Sequence, residues 1–520
     1  MHDKKPLLAK IDINPLFEKA LHLMEETDKH VFVTGRAGTG KSTLLEYFRS
    51  ITRKKIVVLA PTGVAAVNVS GQTVHSFFRF KPDVTVDKVR EKAGKKSNPL
   101  YTKLDAIVID EISMVRADLL DCVDEFLKMN GKLPGAPFGG IQMILIGDLY
   151  QIPPVVVGRE REIFRNHYQS EYFFDANAFK TIEVDYIELE KIYRQTDSAF
   201  IDLLNGIRNK TAGDEEIETI NDRCFDDECV LPDNAIYLTT TNAMADERNE
   251  TELSKLPGKR HSFEAEIKGK FEEKYFPAEK LLRLKKDAQV MLLNNDHAGR
   301  WINGTIGDIH KIKDESLSVK LLDGSIEEIT PYSWEVSRFF WNKETKSVET
   351  ESFGTFKQFP VRVAWAITIH KSQGKTFDHV VIDIGRGTFT PGQLYVALSR
   401  CRTLDGIFLK RKIKKSNIWT DWRVVKFTTG YQYELSEKEL PFDDKIQLIE
   451  NAIAAGTTLE ITYLKPSNVK SKRIVRPEAV GEMEYKGRQY IGVSAFCLER
   501  QDYRTFRVDR ILGMREMSSE

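Results

Sequence analysis

Short apolar runs recur along the chain, each stopping abruptly at polar residues or glycine: Val31–Val33, Ile56–Leu59, Ile107–Ile109, Met143–Ile146, Ile236–Leu238 and Val380–Ile384. Runs rich in β-branched residues and lacking polar alternation predict strands buried on both faces, and the gaps between them are long enough for helices. The pattern therefore predicts α/β architecture with parallel sheets. Such sheets bind ligands beyond the carboxyl ends of their strands, so the residues just after each run are where chemistry is expected.

Between residues 307 and 359 the pattern changes. Alternation in Leu317–Leu322, the turn pair Asp323 and Gly324, and aromatic Phe–Trp pairs predict a small antiparallel β insert. A polar stretch at 428–444 reads as a linker, and 445–520 carries one helix pattern followed by short strands, enough for a separate domain. The expected division is 1–165, with a short insert near 79–100, then 166–306, 307–359, 360–427, the linker and 445–520.

Composition narrows the class. With 41% hydrophobic residues in 520, disordered, collagen-like and disulfide-scaffold readings fail. The 77 Lys+Arg balance 77 Asp+Glu, so any affinity for nucleic acid must come from local positive patches. Five scattered cysteines suit a reduced compartment, and Cys224 and Cys229 have no Cys or His pair nearby to complete a tetrahedral metal site. No apolar run approaches the ~18 residues of a membrane span and the first residues lack a signal-peptide core, so a cytoplasmic, bacterial-type location with no membrane partner is expected.

The segment after the first run, Gly35 to Ser42, fits GxxxxGK[ST] between a strand and a helix. Glycines let backbone N–H groups close around phosphate oxygens, Lys41 reaches the outer phosphates, and the Ser42 hydroxyl suits Mg²⁺. Gly35, Ala37, Gly38, Thr39, Gly40, Lys41, Ser42 and Thr43 are thus candidate nucleotide contacts. Asp110 and Glu111 end the third run, where the first suits Mg²⁺ and the second suits polarising an attacking water. Gln151, in the loop after the fourth run, is a neutral amide able to sense a γ-phosphate.

These segments, with Ala60–Val67, Thr73–Phe78, Tyr193–Gln195, Thr368–Gly374 and Tyr395–Arg400, resemble in content and order the Pif-one and RecD-like branch of superfamily-one DNA helicases. The resemblance implies two RecA-like P-loop domains with ATP between them, a small β-barrel insert in the second, ATP and Mg²⁺ as cofactors, and 5′-to-3′ movement. Arg194 and Arg400 fall where the family places arginines that reach the γ-phosphate, and Gly374 beside the nucleotide. Thr62, Gly63, His75, Phe77, Thr240, Asn242, Thr368, His370 and Lys371 fall in its strand-binding segments, where His75 and Phe77 suit stacking on bases; a core role for His75, Phe77 or His370 is the competing reading. The implied partners are single-stranded DNA and forked or 5′-tailed duplex, bound by a monomer. A DNA-stimulated ATPase switch without processive unwinding is the alternative. Two departures stand out: Asn14 and no Gln upstream of the loop, where the family reads adenine, and Asp287 where a Gly is usual, which suggests a different turn.

The tail resembles the WYL domain family, which implies a small Sm-like β fold that assists nucleic-acid binding or regulates the motor. Lys465 to Arg476 holds five basic residues and no acid, and Arg504 and Arg507 lie among aromatics. Arg473, Arg476, Arg504 and Arg507 are candidate phosphate contacts. A solvated basic face, or internal pairing with Asp502 and Asp509, is the competing reading. The basic run Lys410–Lys415 reads either as a DNA-tracking patch or as a solvated end.

Overall fold

The structure is a computed structural model that describes residues 12–517 apart from 82, 92–98, 157–163, 165, 226–230, 233–234, 270, 272, 274–275 and 297, and the side chains of 64, 336–338 and 353. It divides into two compact units, one of residues up to Leu204 with Gly213–Trp419, the other of Asn205–Ala212 with residues from Thr420 on.

In the first unit, β1 (His30–Gly35), β2 (Ile56–Ala60), β3 (Gln72–Thr73), β4 (Ala106–Ile109), β5 (Gln142–Ile146) and β6 (Val184–Leu189) form one parallel sheet in the order β3-β2-β4-β5-β1-β6. Helices Pro15–Glu26 and Lys41–Ile51 cover it, packing Phe17, Met24, Leu44 and Phe48 against Val31, Val33, Ile144 and Ile146. Burial on both faces explains why these strands read as unbroken apolar runs. β6 lies at the sheet edge and alternates buried with half-buried residues, which hid it from a search for such runs.

The chain then enters a second parallel sheet through β7 (Ile236–Thr239), leaves it for an antiparallel region, and returns. That region comprises β8 (His261–Glu264), β9 (Glu266–Gly269), β10 (Leu281–Leu284), β11 (Gln289–Leu292), β12 (Ile306–Ile312), β13 (Leu317–Leu321), β14 (Ile326–Ile329), β15 (Tyr332–Asn342), β16 (Ser347–Gln358) and β17 (Val361–Val363). The expected insert at 307–359 is therefore too narrow. β11 and β17 lie outside those limits yet share the sheet β14-β13-β12-β11-β17, because they pair with each other across 70 residues of sequence and close the core around Val290, Ile309, Val319 and Val361. Asp287, in the turn between β10 and β11, sits at φ +63. It takes the left-handed conformation a glycine would take, which Asp tolerates better than most residues, so a different turn is not needed. β18 (Ala366–Thr368), β19 (Val380–Asp383) and β20 (Ile407–Leu409) complete the second parallel sheet in the order β18-β7-β19-β20.

The second unit holds helices Trp422–Glu439 and Phe442–Ala455 and an antiparallel sheet of β21 (Thr458–Leu464), β22 (Lys470–Tyr485), β23 (Arg488–Cys497), β24 (Asp502–Arg507) and β25 (Ile511–Met517), ordered β24-β23-β22-β21-β25. The expected linker at 428–444 is thus helical along most of its length. It escaped a hydrophobicity reading because its buried face is polar: Thr428, Thr429, Gln432 and Ser436 point inward. The threonine hydroxyls donate to Val424 O at 2.9 Å and Val425 O at 2.7 Å, and Ser436 Oγ donates to Leu512 O at 2.8 Å. No helix among the described residues is long and apolar enough to cross a membrane.

Candidate functional site

β1 ends at Gly35, and the loop after it turns into the helix Lys41–Ile51 through Gly38 at φ +82 and Gly40 at φ +87. A Cβ on Gly38 would lie 2.6 Å from Arg194 Cβ, so glycine here lets the Tyr193–Gln195 segment close on the loop. Tyr193 N donates to Gly38 O at 2.8 Å, and Ala37 N donates to Tyr395 Oη at 2.9 Å. Buried Thr39 donates to Arg36 O, and Lys41 Nζ donates to Gly35 O at 2.6 Å and Arg36 O at 2.9 Å. Ser42 and Thr43 are exposed in the first helical turn. A strand, a glycine loop and a helix N-terminus in this arrangement present backbone donors and dipole to phosphate. Asn14 caps helix Pro15–Glu26, accepting from Leu16 N and Phe17 N, and its Nδ2 donates to Tyr193 Oη at 3.2 Å.

Asp110 and Glu111 follow β4, both half-buried. Glu111 sits at φ +51, an uncommon conformation for a residue with a side chain and a place where strain is held at the site. Burial and the neighbouring Asp110 push its carboxyl up to about 7, against the pull of Lys41 and Arg400. Burial likewise raises Asp110, opposed by the Glu111 backbone N–H and by Lys41. Among the described residues no cluster of three or more His, Cys, Asp and Glu could hold a metal by itself. The donor set of Asp110 and the Ser42 hydroxyl nevertheless fits Mg²⁺, which is usually bound by one or two protein oxygens and completed by phosphates and water.

The two parallel sheets meet around these groups. Asp148, fully buried, accepts from Tyr150 N at 3.1 Å and Gln151 Nε2 at 3.3 Å, and Gln151 Oε1 accepts from Gln373 Nε2 at 3.3 Å. Gly392, at φ +73, fits so closely under this loop that a Cβ would lie 2.3 Å from Tyr150 O. Arg194 Nη1 donates to Ser399 O at 3.1 Å, while Gln195 Nε2 donates to Ser399 O at 3.3 Å and Cys401 O at 2.9 Å. Between those carbonyls lies Arg400, 1% exposed, its Nε on Val396 O at 3.0 Å and its Nη2 on Ser399 Oγ at 3.0 Å. Burial and Arg194 lower the Arg400 guanidinium, and Tyr395, Glu111 and Asp148 oppose this; a guanidinium stays charged. Gly374, at φ +77, is exposed beside Gln373. Sequence reasoning missed Gln195, Gln373 and Tyr395. All three lie inside recognised motifs, but their roles depend on partners more than 200 residues away.

The strand-binding candidates divide. Thr62 is exposed and caps helix Gly63–Asn68, while Asn242 and Lys371 are also exposed. Thr240 and Thr368 are buried, with Thr240 Oγ1 against Met244 Sδ and Thr368 Oγ1 accepting from Lys371 N. Half-buried His75 lies in helix Val74–Phe78. Phe77 overturns its expected stacking role: it is 5% exposed, enclosed by the rings of Phe78, Tyr101 and Phe339, and has no free face for a base. His370 instead stacks on Phe389 at 6.3 Å between centroids, and Phe389 is 56% exposed, an aromatic surface that no motif signalled.

In the second unit Arg473 pairs with Glu499, and Arg507 pairs with Asp509 at 2.6 Å while lying over the Tyr490 ring. Arg504 stands 3.9 Å from Asp502, and Arg476 lies over the Phe496 ring at 5.7 Å. The internal-pairing reading with Asp502 and Asp509 thus holds for Arg504 and Arg507, Arg473 is engaged by Glu499 instead, and Arg476 and Arg504 remain exposed. Of the cysteines, Cys229 lies outside the described residues.

Comparison with known proteins agrees with this fold. A family profile described as PIF1-like helicase matches residues 14–217, one described as UvrD-like helicase C-terminal domain matches 363–404, and one described as WYL domain matches 444–516. The chain is 31% identical over 410 residues to the ATP-dependent DNA helicase Pif1 of Bdellovibrio bacteriovorus, covering 77% of this chain and 88% of that protein. It spans between 57% and 64% of the length of the vertebrate relatives it matches. The crystal structure of Bacteroides sp Pif1 in complex with ADP-AlF4 superposes with a TM-score of 0.74 at 35% identity, covering 82% of this chain and 98% of that one. Bacteroides Pif1 bound to ssDNA gives 0.59 at 36% identity with the same coverage.

Proposed function

The chain belongs to the PIF1-like helicase family of ATP-dependent DNA helicases, and from that premise we propose that it is a single-strand translocase that unwinds duplex DNA in the 5′-to-3′ direction. ATP occupies the loop Gly35–Ser42, with Lys41 on its outer phosphates. Mg²⁺, held by Ser42 and Asp110, would neutralise phosphate charge there. Glu111 polarises the attacking water, and its raised carboxyl pKa suits a base working near neutral pH.

Arg400, from the facing domain, and Arg194, from the segment that follows β6, supply positive charge as the γ-phosphate leaves, a contribution worth roughly 10³–10⁵ in rate in other nucleotide hydrolases. Closure of the cleft therefore depends on nucleotide. The Asp148–Gln151–Gln373 chain carries that dependence into Thr368–Lys371, beside the aromatic pair His370 and Phe389, which suits stacking on bases of the tracked strand. Alternating grip by Thr62 and Gly63 on one domain and Asn242 and Lys371 on the other converts the cycle into stepping. In the WYL domain, Arg476 and Arg504 are the arginines that suit added phosphate contacts.

The observation that carries this reading is the position of Arg400, buried between the Ser399 and Cys401 carbonyls that Arg194 and Gln195 hold, from a segment whose Tyr193 N donates to Gly38 O of the loop after β1. ATP hydrolysis measured with and without a single-stranded oligonucleotide tests it. Stimulation in the wild type and its loss in Lys41→Ala are expected; turnover retained by Lys41→Ala would show the nucleotide site to be misassigned.

A further inference from the structure

A cavity of about 370 Å³ opens on the antiparallel β region, and no residue of the nucleotide and strand-binding sets lines it. Lys259, His261, Lys286, His310 and Lys311 line it, and none of its lining residues is acidic. They come from four places: the loop after helix Asn242–Lys255, the start of β8, the turn before β11, and β12. Only the fold brings them together.

The neighbouring cations are engaged inside the protein. Arg260 pairs with Glu250, Lys313 with Glu328, and Lys285 Nζ donates to Leu256 O at 2.6 Å. Among the described residues no carboxylate pairs with Lys259, Lys286 or Lys311. In a chain whose formal charges cancel, three unbalanced lysines around one cavity form a local excess of positive charge. Lysine ammonium groups suit phosphate oxygens as point charges with rotatable donors, whereas planar base edges would call for arginine forks or amides. No Phe, Tyr or Trp lines the cavity, so apart from the small rings of His261 and His310 it offers no platform for unstacked bases. It suits a nucleic acid whose bases are already stacked inside a duplex.

Helix Asn242–Lys255 serves as a ruler. Its first residue belongs to the strand-binding candidates and its last precedes the cavity-lining loop, and in this helix of 14 residues a rise of about 1.5 Å per residue separates the two by about 20 Å. A phosphate gripped at Asn242 does not reach the cavity.

We propose that this cavity is a second nucleic-acid site, taking the phosphodiester backbone of the duplex arm of a forked substrate while the motor holds the single strand. The assignment rests on the chain being a DNA motor, and the test separates the two. Lys259→Gln, Lys286→Gln and Lys311→Gln, combined in the full chain, change three exposed side chains and leave the motor residues intact. Affinity for a 5′-tailed fork and for the isolated tail is measured across a salt series, alongside tail-stimulated ATP hydrolysis.

On the fork, the slope of log affinity against log salt should fall by about 2 to 3, since each phosphate contact contributes about 0.9. The tail slope and ATP hydrolysis should be unchanged. An unchanged fork slope overturns the proposal, and if an acidic peptide then binds the wild type but not the variant, the cavity belongs to a protein partner. Equal losses on fork and tail also overturn it, by placing the lysines on the tracked strand. A wild type whose hydrolysis ignores single strands would instead refute the motor reading itself.

Discussion

Glu111 concentrates the costs of the site in one residue. It holds a left-handed backbone conformation, and its carboxyl is raised to about 7 by burial and by Asp110. Between its unfolded value near 4.3 and about 7, the folded protein binds more protons than the unfolded chain, so stability falls as pH rises through that window. Glu111→Gln removes the charge and keeps the shape. Its thermal unfolding midpoint without nucleotide should exceed the wild type's by the equivalent of about 1–3 kcal/mol near pH 8, and the gap should close towards pH 5. Hydrolysis should be lost while ATP and DNA binding persist. A midpoint that does not respond to pH would show that the carboxylate is not destabilised in the fold.

Gln195 acts through its neighbours. Its amide donates to the carbonyls on both sides of Arg400 while the adjacent Arg194 reaches one of them, so it holds the two arginines in register. Gln195→Leu should lower kcat for ATP by roughly tenfold or more, about 1.4 kcal/mol of lost positioning, with KM little changed. Gln195→Glu keeps the volume and loses the donors, so it should fail equally. If Glu restores kcat, the residue only fills space. Asp110, Glu111 and Lys41 were legible because strand ends and glycine loops have local signatures, whereas the register of Arg194 with Arg400 depends on hydrogen bonds across 200 residues of chain.

Elements were legible in proportion to how apolar their buried faces are. β1, β2, β4 and β5 sit inside a covered sheet and read as strands without ambiguity. Helix Trp422–Glu439 buries threonine, glutamine and serine, and its sequence therefore looks like a linker. The paired Phe77 and the exposed Phe389 mislead in the same way, since ring type alone does not tell a core residue from a stacking surface. Gly430 decides between helix and linker experimentally. It lies mid-helix, and a Cβ there would meet no atom within 4 Å. Gly430→Ala should stabilise the protein by about 0.5–1 kcal/mol in chemical denaturation, the helix-propensity difference. No gain would mean that the segment is not helical in solution.

For the whole molecule, equal numbers of acidic and basic residues conceal strong local differences. Much positive charge is neutralised internally, as with Arg473 and Arg507, while the lysines of the β-region cavity and Arg476 and Arg504 face outward. A motor that must release its track at every step is served by a few placed contacts rather than by global attraction. The central claim is that closure around ATP drives movement along one strand. Single-turnover strand displacement on two duplexes, one with a 5′ tail and one with a 3′ tail, tests it most directly. ATP-dependent displacement of the 5′-tailed substrate alone, abolished by Glu111→Gln, is the predicted result. Single-strand-stimulated hydrolysis with neither duplex opened would contradict it and leave a DNA-dependent ATPase switch.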